Sequence, residues 1–475
     1  MPPKIKRERS SVKIETILSP PAKRRRASSS AETLRKFDVD QSEYGPRWAD
    51  WPAPRQAMQE ARQFILQIVE EKRLIGGVLV AGTLLYQTLV HLGHPPSSIQ
   101  VHHLAKGLNV HSDEERDRMT AYGAERIVLL DQGSRPGRAL IQAQGDDDWP
   151  DKSQVLTACH TLPIATAALL TYMLLRDLHP KVRIEESWRA VVGVIGDLGP
   201  AEAKWGSAPW PSDLGEVLKR FGTKSMSDAV ACINAPRRTA EYDVPKAWDT
   251  MLMAKSPAEI ASNAYLKLCK LDVRDETEKW ARTAPRFSLD GRVAVVTIES
   301  GFQIHPVIAT RWAGNLGRKS KKLIMVMCAN NAFNPNPAKV SFSCRIAASL
   351  RSLPEGERRE TQRRFMPTTN ADLPAANLIA LLNEYGDGIE GFRQRVGGDY
   401  ARGHKEATGG IIPKVEFALL LEQMGVPGPG SPRKSETGKT VGKRKVIDPK
   451  QTNGIRDFFR AAPPKESAMI VMPRI

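Results

Sequence analysis

Apolar positions recur at helical spacing in ARQFILQIVEEKRL (Ala61–Leu74), which predicts an amphipathic helix with one face turned to a core. VLVAGTLLYQTLVHLG follows with few polar interruptions, the pattern of a buried strand turning into a helix. SIQVHHL then predicts a short strand, DEERDRMTAYG a polar helix, and ERIVLLDQG a β-branched apolar run ending on Asp131. QVLTACH repeats the strand pattern, ATAALLTYMLLRDL is an apolar helix, and WRAVVGVIGDLG reads as another strand, with Asp197 at its end. Strands alternating with helices predict a parallel sheet, and ligands in such sheets bind at the carboxyl ends of strands. Asp131 and Asp197 are the acids at those ends.

The texture changes after about residue 255. A helical connector leads to VAVVTIES, LIMVMCANN and KVSFSCRIA, a strand-rich unit that also holds the helical patterns ANLIALLNEYG and VEFALLLEQMG. The expected fold class is α/β with two domains: a parallel-sheet domain over 46–255, a connector over 256–285, and a smaller mixed-sheet domain over 286–426.

Composition and charge refine this. The chain has 475 residues, 41 % of them apolar, enough to bury a sizeable core. Its net charge of +17 resembles a nucleic-acid signature until it is apportioned. Residues 1–36 carry eleven Lys/Arg against three Glu, and residues 427–475 eleven against four acids, which leaves about +2 for the 390 residues between. The basic segments, rich in Ser and Pro, cannot bury enough apolar surface to offset ordering entropy, so 1–45 and 427–475 are expected to be disordered. Two runs in them, Lys23-Arg24-Arg25-Arg26 and Lys443-Arg444-Lys445, have the character of nuclear-import signals, which implies a nuclear protein and an import receptor as partner. The five cysteines form no C-x-x-C pair, which argues against a disulfide framework or a structural zinc site. No secretory signal or membrane span is expected. Aromatic residues are only 6 %, and the neutral body shows no basic stripe with interleaved rings, which argues against a strong sequence-specific DNA-binding module.

LLDQGSRPG, LTACHTLPIATAALLTYMLLRDLHP, VVGVIGDLGP, GFQIHPVIATRW, VSFSCRIA and GGDYARGHKEATGG, in this order, resemble the DHH phosphoesterase superfamily, in particular a fungal nuclear branch related to RecJ-type single-strand exonucleases. The resemblance spans about residues 60–425. It implies hydrolysis of phosphodiesters with two divalent ions, Mn or Mg, held by Asp and His at neighbouring strand ends. Two of the four ligand motifs are degenerate. The three Asp positions of motif one fall on Arg73, Ile75 and Gly77, and the Asp-His-His of motif three falls on Gln142, Ala143 and Gln144, or alternatively on Asp146-Asp147-Asp148. Asp131 and Asp197 stand at motifs two and four and are the residual catalytic and metal positions, with His103 or His111 as conceivable third ligands.

The final motif is similar to the glycine-and-histidine signature of the DHH-associated C-terminal domain. Gly397, Gly398, Arg402, Gly403, His404, Lys405, Gly409 and Gly410 are accordingly expected to grip a phosphate of single-stranded nucleic acid. In the tail, Thr452, Ile455, Phe458 and Phe459 resemble the PIP box that docks on the sliding clamp PCNA, although the family's Gln is displaced by one residue to Gln451. The expected function is a catalytically impaired, nucleic-acid-binding relative recruited to replication or repair sites. The alternatives are an active Mn/Mg-dependent exonuclease or phosphodiesterase with substitute ligands, and two motifs lost through misplaced splice junctions.

Overall fold

A computed structural model describes residues 48, 50–71, 75–77, 79–108, 110, 112–124, 126–131, 156–158, 161–316, 322–351 and 377–428. Both import runs, the PIP-box-like residues, Arg73, His111 and every placement of motif three lie outside the described residues. The described residues up to Val426 form one compact unit.

Helix α1 (Arg55–Glu71) starts one and a half turns earlier than its apolar periodicity indicates, and buries Met58, Ile65 and Ile68. Arg62 is buried with them because its guanidinium donates to the carbonyls of Met173 and Leu174, at 2.9 and 3.0 Å. Strand β1 (Ile75–Gly77) precedes α2 (Leu79–His91), so LVAG belongs to the helix and the strand lies before it. Strands β2 (Ile99–Val101) and β3 (Arg126–Ile127), separated by α3 (Asp113–Thr120), pair parallel with β1 on either side, in the order β2-β1-β3. The expected parallel sheet is present, with short strands.

A helical layer follows: α4 (Ala167–Leu175), a π-helical turn (Val182–Glu186) that runs directly into α5 (Ser187–Leu198), α6 (Ser212–Phe221), α7 (Thr223–Ile233), α8 (Val244–Met253), α9 (Pro257–Ser262) and α10 (Ala264–Trp280). WRAVVGVIGDLG is therefore helix α5, not a strand. Its Trp188, Ala190, Val191, Val192, Val194 and Ile195 are all buried, and the face that opens to the cavity carries Gly193 and Gly196, so most of the helix shows no polar stripe by which its period can be recognised. Fully buried Leu84, Leu169, Tyr172, Val191 and Met226 tie α2, α4, α5 and α7 into one core.

The second sheet contains β4 (Arg286–Phe287), β5 (Val293–Ile298), β6 (Met325–Asn330), β7 (Lys339–Ile346), β8 (Arg402–His404) and β9 (Ala407–Pro413), in the order β4-β5-β6-β7-β9-β8. Only β5 and β6 pair parallel, which makes the sheet mixed, as expected. α11 (His305–Leu316) lies between β5 and β6 in the chain, followed after β7 by α12 (Ala348–Arg351), α13 (Leu378–Asp387) and α14 (Phe392–Val396), and after β9 by α15 (Lys414–Gln423). Val293, Val295, Met325 and Met327 enter one core with α13 and α15, while Val296, Ile298 and Cys328 enter another with α11. Burial on both faces explains why VAVV and MVMC are continuous apolar runs rather than alternating ones.

The parallel-sheet and mixed-sheet halves are joined by specific hydrogen bonds. Lys106 Nζ donates to the carbonyls of Ala240 (2.7 Å) and Gly301 (2.8 Å), and Gln303 N–H donates to the carbonyl of Arg238 (2.8 Å). These contacts fix the loop carrying Arg237 and Arg238 against the mixed-sheet half. Among the described residues, no helix is long and apolar enough to cross a membrane.

Candidate functional site

Asp131 lies four residues beyond β3 with a φ of 60°, a left-handed conformation that the short polar side chain of Asp tolerates better than most. Asp197 is in the last turn of α5, which Gly199 ends with a φ of 90°. Asp197 thus reaches the site from a helix end, not from the strand end expected of it. The two carboxylates line a cavity of about 220 Å³ together with Ala81 of α2, Asn234, Arg237 and Arg238. The arginines occupy a 3₁₀ turn (Pro236–Arg238) that follows α7 and is closed by a Thr239 Oγ1 hydrogen bond to the Pro236 carbonyl, at 2.9 Å.

Burial holds the Asp131 carboxyl above the ordinary carboxylate range, opposed by the positive fields of Arg237 and His404. Asp197 is raised first by burial and then by the charge of Asp131, with Arg237 and His404 again opposing. The structure therefore brings together Asp131, Asp197 and His404, which are far apart in the chain. It adds Arg237, which no motif had indicated. Arg238 is pushed below the usual guanidinium value by burial, and by repulsion from Arg237 and Arg345. Among the described residues neither Arg237 nor Arg238 forms a carboxylate ion pair, and the buried Nε of Arg237 has no hydrogen-bond acceptor. Two guanidinium groups and a histidine thus stand near two acids whose pKa values are raised.

The glycine motif is built differently from its expected role. A Cβ at Gly403 would stand 2.5 Å from the Ala407 carbonyl oxygen and one at Gly410 2.6 Å from that of Asp399, while one at Gly409 would collide with the carbonyl oxygen of Phe342. These three glycines let β7, β8 and β9 approach one another. Gly397 and Gly398 have open space at that position and sit in a 3₁₀ turn (Gly397–Asp399). Arg402 is engaged by Asp399 at 2.7 Å, and the carbonyl of Lys405 accepts the Leu378 N–H at 2.7 Å. His404, at the exposed end of edge strand β8, is the member of the motif that acts electrostatically on the acids.

A pair of Mn²⁺ or Mg²⁺ ions needs several carboxylates and imidazoles around it. Among the described residues no third His, Cys, Asp or Glu completes a ligand set at Asp131 and Asp197. Ile75 and Gly77, at two of the motif-one positions, lie in β1 and bring no ligating group, and His103 packs edge-on to Trp248 with ring centroids 5.6 Å apart. The described donor set does not fit a metal pair.

No protein-family model matches the chain, and no curated protein matches it in sequence. Solved structures do. The DHH domain of a protein assigned to a family of ribosomal proteins is 11 % identical, with a TM-score of 0.51 over 83 % of this chain and 95 % of that one. RecJ from Thermus thermophilus, in complex with Mn²⁺, is 15 % identical with a TM-score of 0.47 over 78 % of this chain and 54 % of that one, so the chain spans about half the length of RecJ. CDC45 from Entamoeba histolytica is 8 % identical with a TM-score of 0.38 over 78 % and 98 %. At these identities the likeness is one of fold, that of a DHH domain.

Proposed function

We propose, from the DHH phosphoesterase fold of this chain, that its cleft binds phosphate groups of single-stranded nucleic acid and that its metal-dependent hydrolysis is impaired. One observation carries the reading: Arg237, Arg238 and His404 converge on Asp131 and Asp197, and the two arginines lack ion-pair partners among the described residues. Half-buried guanidinium groups are costly unless anionic oxygens satisfy them, and their planar fork suits phosphate. Arg237 also supplies positive charge beside the acids, where the superfamily places its ions. Phosphate binding at this cleft therefore does not depend on a divalent ion.

The raised carboxyls fit the same role. As an anion arrives, a proton taken up by Asp131 or Asp197 removes a repulsive charge and provides a donor. In the two basic terminal segments, the import runs at Lys23–Arg26 and Lys443–Lys445 direct the protein to the nucleus, and Ile455, Phe458 and Phe459 dock on the sliding clamp as hydrophobic anchors.

The test is fluorescence anisotropy with labelled single-stranded DNA and RNA in EDTA, followed by incubation with Mn²⁺ or Mg²⁺ and analysis of the products. The expected result is saturable, salt-sensitive binding without metal and no cleavage with it. Cleavage that disappears in Asp131→Ala would establish a rebuilt metal site and overturn the impaired reading. For the tail, a peptide spanning 446–465 that binds the clamp no better than its Phe458→Ala/Phe459→Ala counterpart removes the recruitment claim.

A further inference from the structure

Away from the cleft, three ligating side chains meet where the end of α2 reaches the start of α5. His91 is the last residue of α2, and Glu185 and Glu186 close the π-helical turn that precedes α5. His91 Nε2 stands 3.1 Å from Glu186 Oε1, and one donor atom from each of the three residues lies within 4.8 Å of the others. We propose that His91, Glu185 and Glu186 bind a borderline divalent ion of the Zn²⁺ class.

The backbone contributes a specific geometry. An α-helix turns neighbouring side chains about 100° apart, which would send Glu185 and Glu186 to different faces. The π turn widens the helix at this point; Glu186 faces inward to His91 and Glu185 lies at the surface, yet a carboxylate oxygen of each remains within 4.8 Å of the other and of the imidazole. Such turns cost hydrogen-bond geometry and are concentrated at functional positions.

The surroundings hold the ligands in place. Glu186 is nearly fully buried and its second oxygen is held by Arg189, whose guanidinium also donates to the carbonyls of Met251 (3.0 Å), Leu252 (3.2 Å) and Ala254 (2.8 Å). This arrangement orients a ligating carboxylate from outside the coordination shell. The His179 ring stacks on His91 with centroids 5.4 Å apart and planes at 16°, which fixes the orientation of the imidazole. Among the described residues the ion pair of Glu185 is with Lys181, across 3.7 Å at the surface, too weak to withhold it from a divalent ion.

One imidazole and two carboxylates match Zn²⁺, which takes nitrogen and oxygen at about 2.0–2.2 Å and so spaces tetrahedral ligands roughly 3.4 Å apart. The remaining position is left for water. The ion would lie at one end of two helices whose other ends carry Ala81 and Asp197 of the cleft. Ten residues at about 1.5 Å each place it roughly 15 Å from that cleft, as a brace for the helices rather than a part of the site.

Titration of the full-length, chelator-stripped protein with Zn²⁺ by calorimetry, and with Co²⁺ by visible absorption, tests the assignment. One equivalent is expected to bind wild type and Asp131→Asn/Asp197→Asn equally, at least tenfold more weakly in His91→Gln and several-fold more weakly in Glu185→Gln. Glu185→Gln removes only a surface ion pair, so the result is readable even where His91→Gln compromises folding. Unaltered affinity in Glu185→Gln, or loss of the bound ion in Asp131→Asn/Asp197→Asn, overturns the proposal.

Discussion

Asp197→Asn separates the two chemistries of the cleft, because the same substitution has opposite consequences for a metal ligand and for a repulsive charge. A sphere of the cavity's volume, about 220 Å³, has a radius of about 3.7 Å, and wall thickness puts a carboxylate oxygen about 6 Å from a phosphorus at its centre. At that separation two unit charges repel by about 0.7 kcal/mol at the dielectric constant of water and about 2.8 kcal/mol at an effective value near 20. Asparagine keeps the shape and removes the charge. Oligonucleotide affinity in EDTA at pH 7 is therefore expected to rise roughly three- to hundredfold, measured by anisotropy at fixed low salt.

The pH dependence follows with its sign. The folded-state pKa of Asp197 is raised by burial and by Asp131, so the folded protein holds that proton more tightly than the unfolded chain does. Stability is therefore lost as pH rises from the ordinary carboxylate value through the raised one, and Asp197→Asn is expected to be more stable than wild type at pH 7. Wild-type affinity should climb as pH falls into that window, and the variant should climb less. Weaker binding by Asp197→Asn at pH 7 in EDTA, with an unchanged melting temperature, refutes the argument that the acid opposes a ligand anion.

Other perturbations address separate parts of the structure. Arg237→Met should weaken single-strand binding and flatten the dependence of log K on log salt by about 0.7, the contribution of one phosphate contact, whereas a parallel salt slope would show that Arg237 meets no phosphate. Gly82→Ala, ordinarily stabilising in a helix by up to about 1 kcal/mol, should instead destabilise by about 1–3 kcal/mol in urea melts, because the new Cβ would stand 2.9 Å from the Trp248 ring. Glu115→Gln should cost about 2–4 kcal/mol in the same assay, since this fully buried carboxylate accepts from Ala105 N–H (2.7 Å), His102 Nε2 (2.6 Å) and Arg118 Nη1 (2.8 Å).

How far the sequence reveals this molecule depends on which signal each element carries. The mixed-sheet strands were legible because VAVVTI and MVMCAN are short apolar runs and KVSFSCRI alternates apolar with polar residues, and each forms where expected. α5 was not, since a largely buried helix that is rich in valine and carries glycines on its open face has the composition of a central strand. The motif nonetheless singled out Asp197, which lines the cavity beside Asp131 although the element carrying it is a helix.

The glycines show the converse. Their signature was legible, but at Gly403, Gly409 and Gly410 it records strands packed closely against one another, a need that sequence cannot distinguish from backbone exposed to a ligand. Arg237 and Arg238 had the weakest signal of all. The adjacent arginines of APRRTAEYD are ordinary in a polar loop, and their significance arises only when the Gln303 N–H bond to the Arg238 carbonyl docks that loop where Asp131 and Asp197 meet His404. Residues brought together by contacts between the two halves leave no local pattern, and here they supply most of the positive charge at the cleft.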